Sequence, residues 1–157
     1  MIKTLLFDFN NVLLFQSKAT IEAASSEIKK IEIPEAYSPV FYLNQELLKY
    51  IEHKKQSYKT VILSASEFTL EQPVILTAIH PYFDRILMAK DFGWAKDLPA
   101  TYTAAAKELG TTPAEILFTD DKITNVEAAE AVGVTGIHFE NNAHFISKLE
   151  NILIDQA

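Results

Sequence analysis

Residues 2–13 read IKTLLFDFNNVL, an apolar run that ends at a single carboxylate, Asp8. A continuous apolar run of about four to six residues is typical of a strand buried on both faces, as in a parallel sheet. Open α/β sheets bind their ligands at the carboxyl ends of such strands. An aspartate there can also simply begin a turn. We expect residues 2–7 to form the first strand of a parallel sheet, and Asp8 to be functional.

The rest of the chain alternates between apolar runs and amphipathic stretches. Further strands are predicted at residues 60–63, 85–88, 116–118 and 134–139. Helices are predicted at residues 18–30, 43–53, 70–79, 99–109, 124–132 and 142–154, from their apolar spacing and from prolines and glycines near their ends. The alternation predicts one α/β domain over residues 1–157, a three-layer α/β/α Rossmann-like fold with a mainly parallel sheet.

Composition and charge exclude several classes of protein. The 157 residues are 48% hydrophobic and 22% charged, which is ordinary for a globular domain. The net charge of −7 argues against a nucleic-acid binder, and the absence of cysteine excludes disulfides and thiolate chemistry. No apolar stretch approaches the roughly 20 residues of a membrane span, and no signal-peptide cleavage pattern follows the apolar start. We therefore expect a cytoplasmic protein without nucleic-acid or membrane partners.

Polar residues follow three of the predicted strands at the point where each ends. Asp8 follows the first, Ser64 the second, and Asp120 and Asp121 a later one. Parallel strands would bring three carboxylates and a hydroxyl into one crevice, and each carboxylate pair at about 4 Å costs on the order of 4 kcal/mol at an effective dielectric near 20. A hard cation removes this conflict, and oxygen ligands suit Mg²⁺. The cluster therefore predicts a magnesium site.

Four motifs resemble those of the haloacid dehalogenase superfamily, in the same order along residues 2–139. The first is IKTLLFDFNNVL around Asp8, and the second is VILSAS around Ser64. The third is GWAK, ending at Lys96 before a helix, and the fourth is LFTDDKITN with its acidic pair. The resemblance implies a hydrolase, and specifically a Mg²⁺-dependent phosphomonoester phosphatase.

The resemblance also implies roles for individual residues. Asp8 would be the nucleophile and would form an aspartyl-phosphate that water later cleaves. Ser64 would hydrogen-bond the phosphoryl group, together with Ala65 and Asn11, and Lys96 would neutralise its charge. The metal ligands would be Asp121 and Asp8, with Asp120 beside them and the backbone carbonyl of Asn10 completing the protein ligands.

Asn10 departs from the family pattern. Many members carry a second aspartate there as general acid and base, whereas others read Asp-X-Gly-Asn-Val. An amide cannot exchange a proton near neutral pH, and losing a general acid–base typically removes about 10²- to 10⁴-fold in rate. A catalytically reduced binding or regulatory protein is therefore the rival hypothesis. A dehalogenase is disfavoured, because halide displacement by Asp8 needs no metal and would leave the acidic pair uncompensated.

Two assignments have alternatives within the sequence, and the substrate class stays broad. Ser66 could replace Ser64, and Lys90 could replace Lys96, which is followed by aspartate where the family usually has proline. The four histidines show no ligand spacing, and Trp94 could line the site or cover the core. Residues 15–42 allow only a short flap as a cap. We therefore expect an open site that accepts a phosphorylated small molecule or a phosphoryl group on a larger partner, and a lid from another subunit is compatible with this.

Overall fold

The computed structural model describes residues 1–31, 40–66, 70–93 and 95–156. The strands are β1 (Thr4–Phe7), β2 (Leu14–Phe15), β3 (Ile28–Ile31), β4 (Phe41–Asn44), β5 (Lys59–Ser64), β6 (Arg85–Met88), β7 (Ile116–Asp120) and β8 (Thr135–His138). The α-helices are α1 (Lys18–Ala24), α2 (Gln45–Lys54), α3 (Pro73–Ile79), α4 (Pro99–Leu109), α5 (Ile123–Glu130) and α6 (Asn142–Ile154). Short 3₁₀ turns lie at His80–Tyr82, Ala89–Phe92 and Pro113–Glu115.

Five strands form a parallel central sheet in the order β6-β5-β1-β7-β8. The first strand lies in the middle, where Phe7 is in register with Ile62 of β5 and with Thr119 of β7. The carboxyl ends of β1, β5 and β7 are therefore neighbours. This register brings the residues that follow these strands to one edge of the sheet, as the sequence predicts.

The two faces of this sheet carry separate apolar cores, because side chains alternate along each strand. Leu5 and Phe7 belong to the core beneath α2, α3 and α6. This core also includes apolar residues of the small β-sheet described below. Leu6 belongs to the opposite core, with α4 and α5. The predicted three-layer α/β/α fold with a mainly parallel sheet is confirmed.

Helix ends follow the local sequence closely. The predicted bounds of α4 are confirmed: Pro99 occupies its first turn, and Gly110 ends it with a φ of 66° that favours glycine. The predicted bounds of α6 are also confirmed. Strand β8 packs tightly against α5, because a Cβ atom on Gly136 would lie 2.5 Å from Val126 Cγ1.

The segment after β1 differs from its prediction. The helix predicted at residues 18–30 ends at Ala24, and the helix predicted from residue 43 begins at Gln45. Strands β2, β4 and β3 form a three-stranded antiparallel sheet in that order. Ser25 explains the early helix end, because its hydroxyl bonds the Glu27 carbonyl and the Glu46 carboxylate, a local alternative to helical hydrogen bonding.

The predicted short flap at residues 15–42 thus contains β3 and the adjoining parts of β2 and β4. Residues 32–39 of this stretch lie outside the described residues. Within the described ranges, no helix is both long and apolar enough to cross a membrane.

Candidate active site

One lysine joins two buried carboxylates at the carboxyl edge of the sheet. Asp8 follows β1 directly, and its backbone N–H donates to the Thr119 carbonyl at 2.9 Å. The Lys96 ammonium binds the Asp8 carboxylate and donates to Asp120 Oδ2 at 2.7 Å. Asp8 and Lys96 are each 6% exposed, and Asp120 is fully buried. Of the two lysines considered from the sequence, Lys96 is therefore the one that contacts Asp8.

Asp120 is held by the protein through both of its carboxylate oxygens. Oδ1 accepts from the backbone N–H of Lys122 at 2.8 Å. Oδ2 accepts from Lys96 and also from Asn125 Nδ2 at 2.9 Å. Asp120 thus fixes the position of the Lys96 ammonium next to Asp8. Asn125 was not predicted as a site residue, because its contact with Asp120 depends on the first turn of α5.

Asp121 faces the opening of the site and is only half-buried. Its carboxylate accepts from Asn11 Nδ2 at 3.1 Å, and its backbone carbonyl accepts from His138 Nε2 at 2.9 Å. Asn11 has a φ of 62°, the left-handed region that asparagine enters more readily than most residues. The structure thus brings the first and fourth motifs together through a side-chain hydrogen bond between them.

The carboxylates of Asp8, Asp120 and Asp121 form a cluster that could hold a cation. One oxygen from each lies within 4.8 Å of the others. Burial raises the pKa of Asp8 to about 6 from 3.8, with the Lys96 charge opposing this and the Asp120 charge adding to it. Burial also raises the pKa of Asp121, against the Asn11 hydrogen bond. These ligands are all oxygen atoms and carry more negative charge than Lys96 offsets, so they fit Mg²⁺. A bound Mg²⁺ would favour the ionised forms of Asp8 and Asp121.

A cavity of about 230 Å³ opens at this cluster. Its lining contains most of the predicted site residues and three others. The lining residues are Asp8, Asn10, Asn11, Ala65, Ser66, Lys96, Asp121, Lys122 and Asn125. Of the predicted residues, Ser64 and Asp120 are not part of this lining. The volume and the charged lining suit a small anionic group.

The two candidate serines have different surroundings. Ser64 is fully buried; its hydroxyl donates to the Ser66 carbonyl and accepts from the Ser66 N–H, both at 3.1 Å. Its oxygen therefore closes the turn after β5, and Ser66 lines the cavity. Because Ser66 is two residues beyond the strand end, only the fold of this turn distinguishes it from Ser64.

The first turn of α4 anchors the segment that carries Lys96. The Tyr102 hydroxyl donates to the Lys96 carbonyl at 2.8 Å, and the Thr101 hydroxyl donates to the Ala95 carbonyl at 2.6 Å. The alternative lysine, Lys90, lines a separate groove with Leu70 and Met88. Trp94 lies outside the described residues, so its two predicted roles are not decided.

Comparison with known proteins gives a family for this arrangement. A family model described as haloacid dehalogenase-like hydrolase matches residues 28–133, more than half of the chain. A sesquiterpene phosphatase from Aspergillus oryzae is 34% identical over 71 residues, which are 45% of this chain and 36% of that protein. The chain thus spans about a third of the length of that curated relative.

Solved structures support the same fold. A HAD family enzyme from Bacteroides thetaiotaomicron, in complex with magnesium and inorganic phosphate, has a TM-score of 0.66 at 14% identity, covering 90% of this chain and 97% of that one. A predicted HAD-like family hydrolase from Porphyromonas gingivalis has a TM-score of 0.64 at 18% identity, covering 98% of both chains. The family model and the fold agree with the resemblance of the four motifs, and the chain belongs to the haloacid dehalogenase-like hydrolase family.

Proposed function

We propose that this protein is a Mg²⁺-dependent phosphomonoester hydrolase that acts through an aspartyl-phosphate on Asp8. The observation that carries the proposal is the contact of the buried Asp8 carboxylate with Lys96, beside two further aspartates and a cavity of about 230 Å³. Phosphoryl transfer depends mainly on positioning and on charge stabilisation. This site supplies a fixed carboxylate, a fixed ammonium and a candidate cation site.

In the first step, an Asp8 oxygen attacks phosphorus and the bond from phosphorus to the ester oxygen breaks. The leaving alcohol departs as an alkoxide and takes a proton from solvent, since the Asn10 amide cannot supply one. The Lys96 ammonium remains next to the reacting oxygens, because Asp120 holds it at 2.7 Å. Water then attacks the phosphorus, the bond to Asp8 breaks, and inorganic phosphate leaves with the Asp8 carboxylate restored.

The residues present fit a magnesium ion at the entrance of the cavity. Asp8, Asp121 and the backbone carbonyl of Asn10 would hold it, and Asp120 would act mainly through Lys96, because both of its oxygens already accept hydrogen bonds. When bound, the ion would offset negative charge on the phosphoryl oxygens. The solved Bacteroides neighbour, which binds magnesium and inorganic phosphate, supports this part of the proposal.

The substrate class is proposed more broadly than the reaction. The cavity is large enough for the phosphoryl group and leaves the alcohol unspecified, so a phosphorylated small molecule and a phosphoryl group on a larger partner both fit. The similarity to a sesquiterpene phosphatase is a reason to test isoprenyl phosphates beside sugar and aryl phosphates.

The rival function is a binding or regulatory protein with reduced catalysis. Asn10 lines the cavity at the position where the family often has its acid–base aspartate, which favours this alternative. Such a protein would bind a phosphate analogue without turning over an ester. The side-chain contacts of Asp8, Lys96 and Asp120 favour the hydrolase.

The deciding experiment is hydrolysis of p-nitrophenyl phosphate with Mg²⁺ and with EDTA. Its leaving group is a good one, so the missing general acid matters least. We expect metal-dependent turnover that is lost in Asp8→Asn and retained in the control Asp155→Asn, an aspartate just beyond α6. Mass spectrometry of the quenched enzyme should show one phosphoryl group on Asp8. Turnover that persists in Asp8→Asn would refute the covalent step, and binding without turnover would favour the rival function.

A further inference from the structure

Two asparagines form a buried amide pair behind the loop that follows β1. Asn44 is fully buried and Asn142 is 1% exposed, and they are 98 residues apart in sequence. Each side-chain NH₂ donates to the other side-chain oxygen, at 2.8 and 2.9 Å. Asn44 ends β4 and caps α2, whereas Asn142 begins α6. The pair therefore joins the small sheet and two helices through uncharged hydrogen bonds.

Asn44 uses both ends of its amide, and this fixes its orientation. Nδ2 donates to the Val12 carbonyl at 2.9 Å as well as to Asn142. Oδ1 accepts from the Leu47 N–H at 3.2 Å as well as from Asn142. A flipped amide would place Oδ1 against the Val12 carbonyl and Nδ2 against the Leu47 N–H, so only one orientation satisfies its neighbours.

The Val12 carbonyl belongs to the tight loop that presents Asn10 and Asn11 to the cavity. Within this loop, the N–H groups of Leu13 and Leu14 donate to the Phe9 carbonyl, and the Asn11 N–H donates to the Leu14 carbonyl. The backbone N–H of Asn44 also donates to the Leu13 carbonyl at 3.0 Å. Asn44 thus holds the loop at two consecutive carbonyls, those of Val12 and Leu13.

We infer that Asn44 and Asn142 are positioning residues for the Asp8–Val12 loop. Two apolar residues could fill the same volume, but they would leave the Val12 carbonyl without its buried donor. Asn44 supplies that donor, and Asn142 holds the Asn44 amide in the orientation that supplies it. The loop can then keep the left-handed φ of Asn11 and the placement of Asn10.

The test separates positioning from general stability with three variants. Asn44→Ser keeps an oxygen that can cap α2 but loses the NH₂ group that binds Val12. Asn142→Ala removes the partner that orients Asn44, together with its hydrogen bond to the Glu46 carboxylate. Thr60→Val is the matched control, because Thr60 is also fully buried and its hydroxyl donates to the Tyr82 carbonyl at 2.8 Å, at the opposite edge of the sheet.

The first measurement is native-state amide hydrogen exchange at Asn11 and Leu14, compared with amides of β5. We expect exchange at these two positions to accelerate about tenfold or more in Asn44→Ser and Asn142→Ala, and to stay as in wild type in Thr60→Val. The second is hydrolysis of p-nitrophenyl phosphate, and this arm rests on the proposed function. We expect kcat to fall about 10- to 100-fold in the two asparagine variants, with a smaller change in KM.

The outcomes that would contradict the inference differ from the outcome that would contradict the proposed function. If exchange in the asparagine variants accelerates equally across β5 and the loop, the pair only stabilises the fold and the inference is wrong. If hydrogen exchange of the loop amides accelerates but kcat stays as in Thr60→Val, the loop position does not control the reaction, and the inference is also wrong. If the wild-type protein hydrolyses no ester, the proposed function fails, whereas the exchange data still decide whether the pair holds the loop.

Discussion

The Asp8→Asn variant should lose activity and gain stability in the absence of metal. Burial raises the pKa of Asp8 to about 6 in the folded protein, against 3.8 for the ordinary side chain. The folded state therefore binds more protons than the unfolded state between these values, and stability falls as pH rises through this window. Asparagine has a similar shape and carries no charge to bury, so the variant avoids this loss.

The size of the gain follows from the pKa difference. At about 1.4 kcal/mol per unit, a shift of roughly two units corresponds to about 3 kcal/mol at pH 7.5, and to under about 1 kcal/mol at pH 4. Part of this gain in stability is offset in Asp8→Asn, because Lys96 loses one of its two carboxylate partners. Lys96 keeps its contact with Asp120, which limits the offset.

Urea unfolding with EDTA at pH 7.5 and at pH 4 measures both values. We expect Asp8→Asn to unfold at higher urea than wild type at pH 7.5, with the difference nearly absent at pH 4. Mg²⁺ should stabilise the wild type and have less effect on the variant, since Asp8 is a proposed ligand. A variant that is less stable than wild type at pH 7.5, or whose difference does not depend on pH, would refute this account of the Asp8 charge.

Three further variants test other parts of the structure. Lys96→Met leaves Asp8 and Asp120 without the cation they share. It should therefore lower the free energy of unfolding by about 3–5 kcal/mol, measured by urea unfolding, and raise the pKa of Asp8 further, measured by carboxyl NMR titration. Asn10→Asp should restore a general acid and raise turnover by up to about 10²-fold on alkyl phosphates, with less gain on aryl phosphates; equal gains would contradict the role of position 10. Gly136→Ala places a Cβ 2.5 Å from Val126, so it should cost about 1–3 kcal/mol in urea unfolding and leave kcat per folded molecule unchanged.

The elements that the sequence predicts well are those whose local signals agree with their burial. Helix α4 has proline in its first turn and glycine at its end, and its bounds are as predicted. The stretch at residues 18–30 was predicted as one helix and is a helix followed by a strand. Its end overlaps β3 (Ile28–Ile31), which has no strong helical or strand pattern and is a strand because it pairs with β4.

The residues of the candidate site also divide into those that the local sequence predicts and those that it does not. Residues that directly follow a strand, such as Asp8 and Asp121, are predictable because parallel strands bring their ends together. Asn125 and Asn44 were missed, and Ser66 was predicted only as the alternative to Ser64, since each contributes through a turn or a tertiary contact that leaves no spacing pattern. The lysine was predictable from the motif, but the contact that holds it, Lys96 with Asp120, is visible only in three dimensions.

The central position of β1 has a consequence for the time at which the site can first exist. Asp8 is synthesised more than a hundred residues before its sheet neighbour β7, which carries Asp120 and begins at Ile116. Pairing across more than a hundred residues must precede any contact between these carboxylates and Lys96, and such distant pairings are slow steps in folding. A chain synthesised only as far as β6 therefore has Asp8 without its surroundings, and the proposed phosphatase activity would first be possible once β7 has joined the sheet.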